Sequence, residues 1–315
     1  NWGPEFLQKI RGMFSFAIYD NKKKQILCAR DHFGQKPFFY YYKDGDFVFS
    51  SELTSLISNP IIKNVLIAWF IKQYPINLNE AAQSDPKKYK TFNDFFTRKL
   101  KPQARTIVGN EETIVCPVDG RLTEFGAIKH GQLIQAKAIE YPLDALLGEK
   151  ATMTQPFLGG YFATFYLAPE NYHRIHIPIA GLLTRTRYIP GRRLTLGPSS
   201  TKLIKGLFCR NERVVCWFDT AIGPVALVLV GALNVSSIST EFLGEIQSGK
   251  PLLWKNPNLR KHPYERGDEI AQFNLGSTVV VICPTYNLLW HEKLERNIDV
   301  RMGNPLANIV RYKAK

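Results

Sequence analysis

The stretch Ile270-Ala-Gln-Phe-Asn-Leu-Gly-Ser-Thr-Val-Val-Val-Ile282 decides the reading of this 315-residue chain. Its apolar, β-branched residues form a strand pattern, and Leu275-Gly-Ser-Thr278 sits inside it. In most chains a Gly-Ser step of this kind marks a bulge or a strand edge. It can also be a reaction site: glycine leaves the carbonyl unshielded and tolerates strained backbone, while serine places a hydroxyl one bond away. Partners elsewhere in the chain must decide between the two.

Outward from this stretch, the chain from Ile107 onward reads as many short strands separated by Gly, Pro and Asn turns, with little helix. Upstream, residues 61–74 predict a helix with apolar residues at 62, 65, 66, 69 and 70, stopped by Pro75. The spacing alone leaves open whether that helix packs on its own core or lies on a membrane. A second helix is predicted over 91–100, with Thr91 as its cap. Residues 60–315 are therefore expected to form one α+β domain, N-terminal helices followed by a mainly antiparallel β core. Residues 1–59 predict a hairpin-rich fragment with strands near 13–19, 25–29, 37–42 and 47–49 and turns at Asp20-Asn21 and Asp44-Gly45.

Apolar residues make up 45% of the chain, enough for one large core or two modest ones. The net charge of +14 implies an anionic partner, which charge alone leaves as nucleic acid, a membrane face or an acidic substrate. The first 59 residues carry 8 basic and 6 acidic side chains, so most of the excess lies beyond them. Five scattered cysteines in mostly apolar surroundings predict reduced, buried thiols in a cytosol-facing protein. No Cys/His spacing matches a zinc site, and no metal is expected. The apolar runs are too short to span a bilayer, and no signal peptide opens the chain, so any membrane contact is expected to be peripheral.

Two further clusters carry chemistry: Cys116-Pro-Val-Asp-Gly120 and Asn171-Tyr-His-Arg-Ile-His-Ile-Pro178. With Leu275-Gly-Ser-Thr278 they supply a carboxylate, two imidazoles and a hydroxyl, the inventory of an acid–base–nucleophile site. Each cluster alone has a plainer reading: Asp119-Gly120 is most often a turn, and His173 with His176 could be polar residues at a sheet margin. Residues three apart face opposite ways on a strand and the same way in a helical turn, and the sequence does not choose.

Tyr89-Lys-Thr-Phe-Asn-Asp-Phe-Phe-Thr-Arg98, Pro117-Val-Asp-Gly120, Tyr172-His-Arg-Ile-His-Ile-Pro178, Arg210-Asn-Glu-Arg213 and Leu275-Gly-Ser-Thr278 occur in the order seen in phosphatidylserine decarboxylase proenzymes, which the chain resembles from about residue 61 to its end. The resemblance implies self-cleavage at the Gly276-Ser277 bond, with Ser277 becoming a covalent pyruvoyl group (bound pyruvate). It implies that His176, held by Asp119, deprotonates Ser277, and that His173 positions the substrate carboxylate or reprotonates the product carbon. It implies phosphatidylserine as substrate and phosphatidylethanolamine as product. The implied setting is an anionic membrane surface on the cytoplasmic side of the cell membrane, with no nucleic acid. It also implies a heterodimer of β chain (to Gly276) and α chain (from Ser277), itself dimerised. Two stretches depart from the family pattern, Arg192-Arg-Leu-Thr-Leu-Gly-Pro-Ser-Ser200 and residues 233–236, where Leu233 and Ser236 replace a usual threonine and glycine.

Residues 1–59 resemble part of the class II glutamine amidotransferase domain of asparagine synthetases, through Gly3-Pro-Glu-Phe-Leu, Ile10-Arg-Gly-Met-Phe-Ser-Phe-Ala-Ile-Tyr-Asp20, Ala29-Arg-Asp-His-Phe-Gly-Gln-Lys-Pro37 and Ser51-Glu-Leu53. In that family the nucleophilic cysteine and the glutamine-binding loops precede the matched stretch, so no glutamine hydrolysis is expected. The competing functions are an amidotransferase fragment and a non-catalytic membrane-binding protein with a decayed cleavage site. A partial sheet of this kind is expected to leave edges and apolar faces uncovered.

Overall fold

The computed structural model describes residues 3–10, 12, 14–31, 38–43, 45–50, 60–136, 139–232, 237–246, 249–255, 263–274 and 277–310. The expected boundary between residues 59 and 60 has its first side outside the described residues. The chain divides into two compact units, Asn1–Gln73 with Asp85–Phe95, and Tyr74–Ser84 with Phe96–Lys315.

In the first unit, strands Ser15–Asp20 and Gln25–Arg30 form an antiparallel hairpin, and Phe39–Lys43 with Asp46–Ser50 form another. The Asp20 carboxylate accepts from the N–H groups of Lys22 (2.9 Å) and Lys23 (3.0 Å), which closes the first turn. Gly45, at φ +90°, closes the second. Tyr40 and Tyr42 are 66% and 69% exposed.

The α-helix Pro60–Gln73 forms where the 3.6-residue pattern places it, but its buried face is Ile62, Ile67 and Phe70, while Val65 and Trp69 are exposed. The predicted stripe through 65 and 69 is therefore corrected. A buried lysine sets the rotation: Lys63 Nζ donates to the carbonyls of Lys87 (3.0 Å) and Tyr89 (2.6 Å). Phe70 packs edge-on to Phe92 at 5.3 Å.

The second predicted helix is much shorter, Phe92–Phe96 rather than 91–100. Its start is as expected, since Thr91 Oγ1 accepts from Asp94 N–H (3.0 Å) and Asp94 Oδ2 from Thr91 N–H (3.1 Å), a reciprocal capping pair. It ends early because the chain beyond it joins other backbone: Lys99 O accepts from Ala82 N–H (2.8 Å), and Leu100 bridges Ala81.

The second unit is mainly antiparallel β with a few short helices. Its centre is an eight-stranded sheet in the order Leu252–Lys255, Gly181–Ile189, Arg213–Thr220, Gly223–Gly231, Ser277–Cys283, Tyr161–Leu167, Gly120–Ala127, Ile298–Val300. A four-stranded sheet runs Arg174–His176, Glu269–Phe273, Ile238–Thr240, Gly244–Glu245. The central strands are apolar on both faces, as in Val225 to Val230, because both faces are covered. All five cysteines are free thiols, and burial pushes those of Cys116, Cys216 and Cys283 up to about 12, which keeps them protonated and inert.

Candidate active site

The run that reads as one strand from 270 to 282 is two strands in two sheets. Strand Glu269–Phe273 belongs to the four-stranded sheet and ends at Asn274, whose amide nitrogen donates to Ser237 Oγ (2.6 Å) and Ser239 Oγ (3.1 Å). Strand Ser277–Cys283 belongs to the eight-stranded sheet. Leu275 and Gly276, and with them the expected scissile bond, lie outside the described residues, as does the Ser277 side chain; the bond falls in sequence between the two strands. The Ser277 backbone is in register with Gly231 on one side and Leu167 on the other.

Asp119 is buried and anchored by other partners than expected. Its carboxylate accepts from Arg105 Nε (2.9 Å to Oδ1), from Arg105 Nη2, and from the backbone N–H of Met302 (2.9 Å). Arg105 also donates to Glu80 (2.8 Å), which in turn meets Arg301 at 3.4 Å. Such a two-pronged guanidinium contact fixes both the charge and the orientation of the carboxylate. The guanidinium's own pKa is perturbed in both directions, lowered by burial and raised more by Asp119 and Glu80.

His176 therefore makes no direct bond to Asp119, which corrects the expectation that Asp119 holds it. Its Nδ1–H donates to the Gly267 carbonyl (2.7 Å), so Nε2 carries the lone pair and accepts from the Tyr172 hydroxyl (3.0 Å). Asp119 stays near enough to act through space: burial lowers the His176 pKa, and the Gly267 carbonyl, Glu269 and Asp119 partly counter it. Backbone links the two clusters, since His176 N–H donates to Pro117 O at 2.9 Å.

His173 is fully buried. A turn at 168–171, closed by Ala168 N–H donating to Asn171 Oδ1 (2.7 Å), delivers it to the start of strand Arg174–His176. Its Nδ1–H donates to Asn171 O (2.8 Å), its ring lies 4.1 Å from that of Phe96, and its Nε2 has no hydrogen-bond partner among the described residues. Burial, reinforced by the Arg98 guanidinium, pushes its pKa down to about 3. His176 ends the strand Arg174–His176 and His173 precedes it; the register shifts between Ile175 and His176, with Ile270 the extra residue on the partner strand, and the two imidazoles have different neighbours, Phe96 and Tyr172.

A cavity of about 530 Å³ reaches Thr278, next to Ser277, and is walled by Tyr166, Asn171, Arg121, Leu196 and Lys202 among others. The departing stretch 192–200 thus forms part of its wall. Residues 233–236, the other departure, lie outside the described residues.

Sequence reading missed Arg105, Glu80, Tyr172 and Glu212 as parts of the site. Glu212 lies against the gap left by Gly231, where a Cβ would stand 3.1 Å from Glu212 Cγ. It binds Tyr188 Oη (3.1 Å) and Arg193 Nε (2.9 Å). Tyr172 and Glu212 stood inside quoted motifs, but nothing local marked Arg105.

A buried carboxylate and two buried imidazoles lie on or beside strands of the two antiparallel sheets between which the chain passes at residues 274–277, and this inventory suits acid–base chemistry. A family model described as phosphatidylserine decarboxylase matches residues 92–308, and the chain belongs to that family. Similar relatives are the phosphatidylserine decarboxylase proenzymes of Marinobacter nauticus (42% identity, covering 80% of this chain and 89% of the relative), Shewanella woodyi (46%, 79% and 88%) and Hahella chejuensis (42%, 80% and 85%). A second model, described as a glutamine amidotransferase domain, matches residues 1–113 and overlaps the first over 92–113.

Proposed function

We propose that this chain is a proenzyme that cuts itself at Gly276-Ser277 and then decarboxylates phosphatidylserine to phosphatidylethanolamine, with residues 60–315 carrying the chemistry and residues 1–59 none of it. The observation that carries this reading is the pair of buried, neutral imidazoles just before and at the end of the strand Arg174–His176, which pairs with the strand that leads toward the Gly-Ser step.

His176 enters as a neutral base, because burial lowers its pKa and its Nδ1 proton is committed to Gly267 O. Exchanging the Tyr172 hydroxyl for the serine hydroxyl lets Nε2 take the Ser277 proton, and the Asp119 charge favours the imidazolium that results. The serine oxygen bonds to the Gly276 carbonyl carbon, the C–N bond breaks, and the proton passes to the released amine, giving an ester. Loss of the Ser277 Cα proton then breaks the Cβ–O bond, freeing the Gly276 carboxylate and leaving dehydroalanine. Water replaces the amine as ammonia leaves, and residue 277 becomes pyruvoyl.

The surroundings fit such a group: His173 Nε2 is a buried nitrogen with no partner among the described residues, and Gly231 presents no side chain beside residue 277. A ketone there supplies the electron sink for carboxylate loss that pyridoxal phosphate supplies elsewhere. His173 and Phe96, both fully buried and in ring contact, offer a dry wall against which a carboxylate would be destabilised relative to neutral carbon dioxide. With its pKa near 3, His173 can return to carbon only a proton it has first taken up.

Cleavage would not release the α chain, because strand Ser277–Cys283 is hydrogen-bonded between Gly223–Gly231 and Tyr161–Leu167. That central position supports a heterodimer of the two cleaved chains. We place the protein peripherally at the cytoplasmic face of the cell membrane, where its anionic substrate lies, and none of the helices among the described residues is long and apolar enough to cross a membrane.

Intact-mass spectrometry tests the reading. The expected outcome is a fragment of 39 residues, 277–315, lacking a free N-terminal amine, with Ser277→Ala leaving the chain whole. Asp119→Asn and His176→Ala should slow cleavage severely, and His173→Ala should spare cleavage but impair decarboxylation. A wild-type chain that stays uncut on prolonged incubation would refute the proposal.

A further inference from the structure

Between Arg192 and Arg210 the chain carries five basic residues and no acidic one. Arg193 is engaged by Glu212, whereas Arg192, Lys202, Lys205 and Arg210 are exposed. Within this basic stretch, the helix Pro198–Leu203 ends on Leu203, 80% exposed and the most exposed large apolar side chain among the described residues. A solitary exposed leucine needs no explanation. Here it stands between two exposed lysines, on the segment that walls the cavity reaching Thr278.

The segment is also pinned from beneath. Gln135 is buried; its amide nitrogen donates to the carbonyls of Thr201 and Ile204 (both 2.7 Å), and its oxygen accepts from Leu207 N–H (2.8 Å). One side chain thus ties down both ends of the turn that carries Leu203, so the leucine cannot fold back onto the protein without breaking bonds to a buried amide. An apolar tip held outward and ringed by cations matches an anionic bilayer, with carbon below the headgroups and negative charge at them.

We propose that residues 192–205 form the membrane-contact lip of the cavity: Leu203 enters the lipid while Lys202 and Lys205 meet anionic headgroups. This rests on the decarboxylase reading for its purpose, because it sets the cavity mouth against the surface that holds the substrate. The lip itself needs only an anionic bilayer.

The test uses vesicles of phosphatidylcholine alone and of phosphatidylcholine mixed with phosphatidylglycerol, an anionic lipid that is not the substrate. Both the processed protein and the Ser277→Ala chain are expected to partition onto the mixed vesicles only. At about 1 kcal/mol per cation near the surface, Lys202→Gln/Lys205→Gln should weaken partitioning about 30-fold. Leu203→Ser should weaken it by about tenfold or more. A Leu203→Trp protein should shift its emission to the blue on the mixed vesicles and be quenched by brominated lipid. Partitioning unchanged in both substituted proteins, or tryptophan emission indifferent to vesicles that the protein binds, would overturn the lip. Docking as expected without any decarboxylation would instead overturn the function proposed above and leave the lip standing.

Discussion

His173→Gln, made in the uncut Ser277→Ala chain so that a single species unfolds, should flatten the acid dependence of stability. An unfolded histidine takes its proton near 6.5, whereas His173 in the folded protein takes it only near 3. Between these values the unfolded state binds more protons, so stability falls as pH falls. The contribution is intact above pH 6.5, drops by about 1.4 kcal/mol per pH unit below it, and reaches about 5 kcal/mol of loss near pH 3. At pH 5 the loss attributable to this one ring is about 2 kcal/mol. Glutamine keeps a donor for Asn171 O but cannot titrate, and His176, which shifts in the same direction, is unchanged in both chains. Urea unfolding followed by tryptophan fluorescence, at intervals from pH 7 to pH 4.5, gives two curves whose difference isolates His173. Parallel curves would refute the reasoning, since a ring that titrates normally in the folded state cannot be the dry neutral group described here.

Two other perturbations bear on the same site. Arg105→Met removes the partner of a buried carboxylate and should cost about 3–5 kcal/mol in urea unfolding, whereas Arg105→Met/Asp119→Leu, which removes both charges, should recover most of it; equal losses in the two proteins would show that the pair is not coupled. Gly231→Val places branched carbon where Glu212 Cγ is already 3.1 Å from a Cβ, so self-cleavage followed by mass spectrometry should slow by at least about tenfold, and a wild-type rate would remove Gly231 and Glu212 from the account of Ser277.

How far the sequence reveals this site depends on whether a constraint is local. Hairpin turns, the Thr91 cap and the helix Pro60–Gln73 were legible because each depends on residues within a few positions. Helix rotation was not, because a buried lysine reaching carbonyls 24 and 26 residues away outweighs the apolar stripe. The early end of Phe92–Phe96 has the same origin, a backbone partner at Ala82 that no window around residue 97 contains.

Strand 270–282 is the most instructive case. Its apolar pattern resumes beyond the Gly-Ser step, yet the chain changes sheets within it. Beside that step the other local mark was Asn274, a polar residue in a run of core residues, whose amide is held by two serine hydroxyls from the neighbouring strand region. A buried asparagine must find partners, so such a residue inside an apolar run signals that the ladder is interrupted there. That interruption matters chemically. A peptide bond within a continuous ladder is shielded on both sides by its neighbours, and cutting it in this way would leave a charged carboxylate end in a core. A bond at the crossing between two sheets can be cut while each strand keeps its own ladder, so Glu269–Phe273 and Ser277–Cys283 remain anchored independently. Asp119, His173, His176 and Ser277 could be named from the chain as candidates. What makes self-cleavage tolerable is the change of sheet between them, and that is a property of the fold.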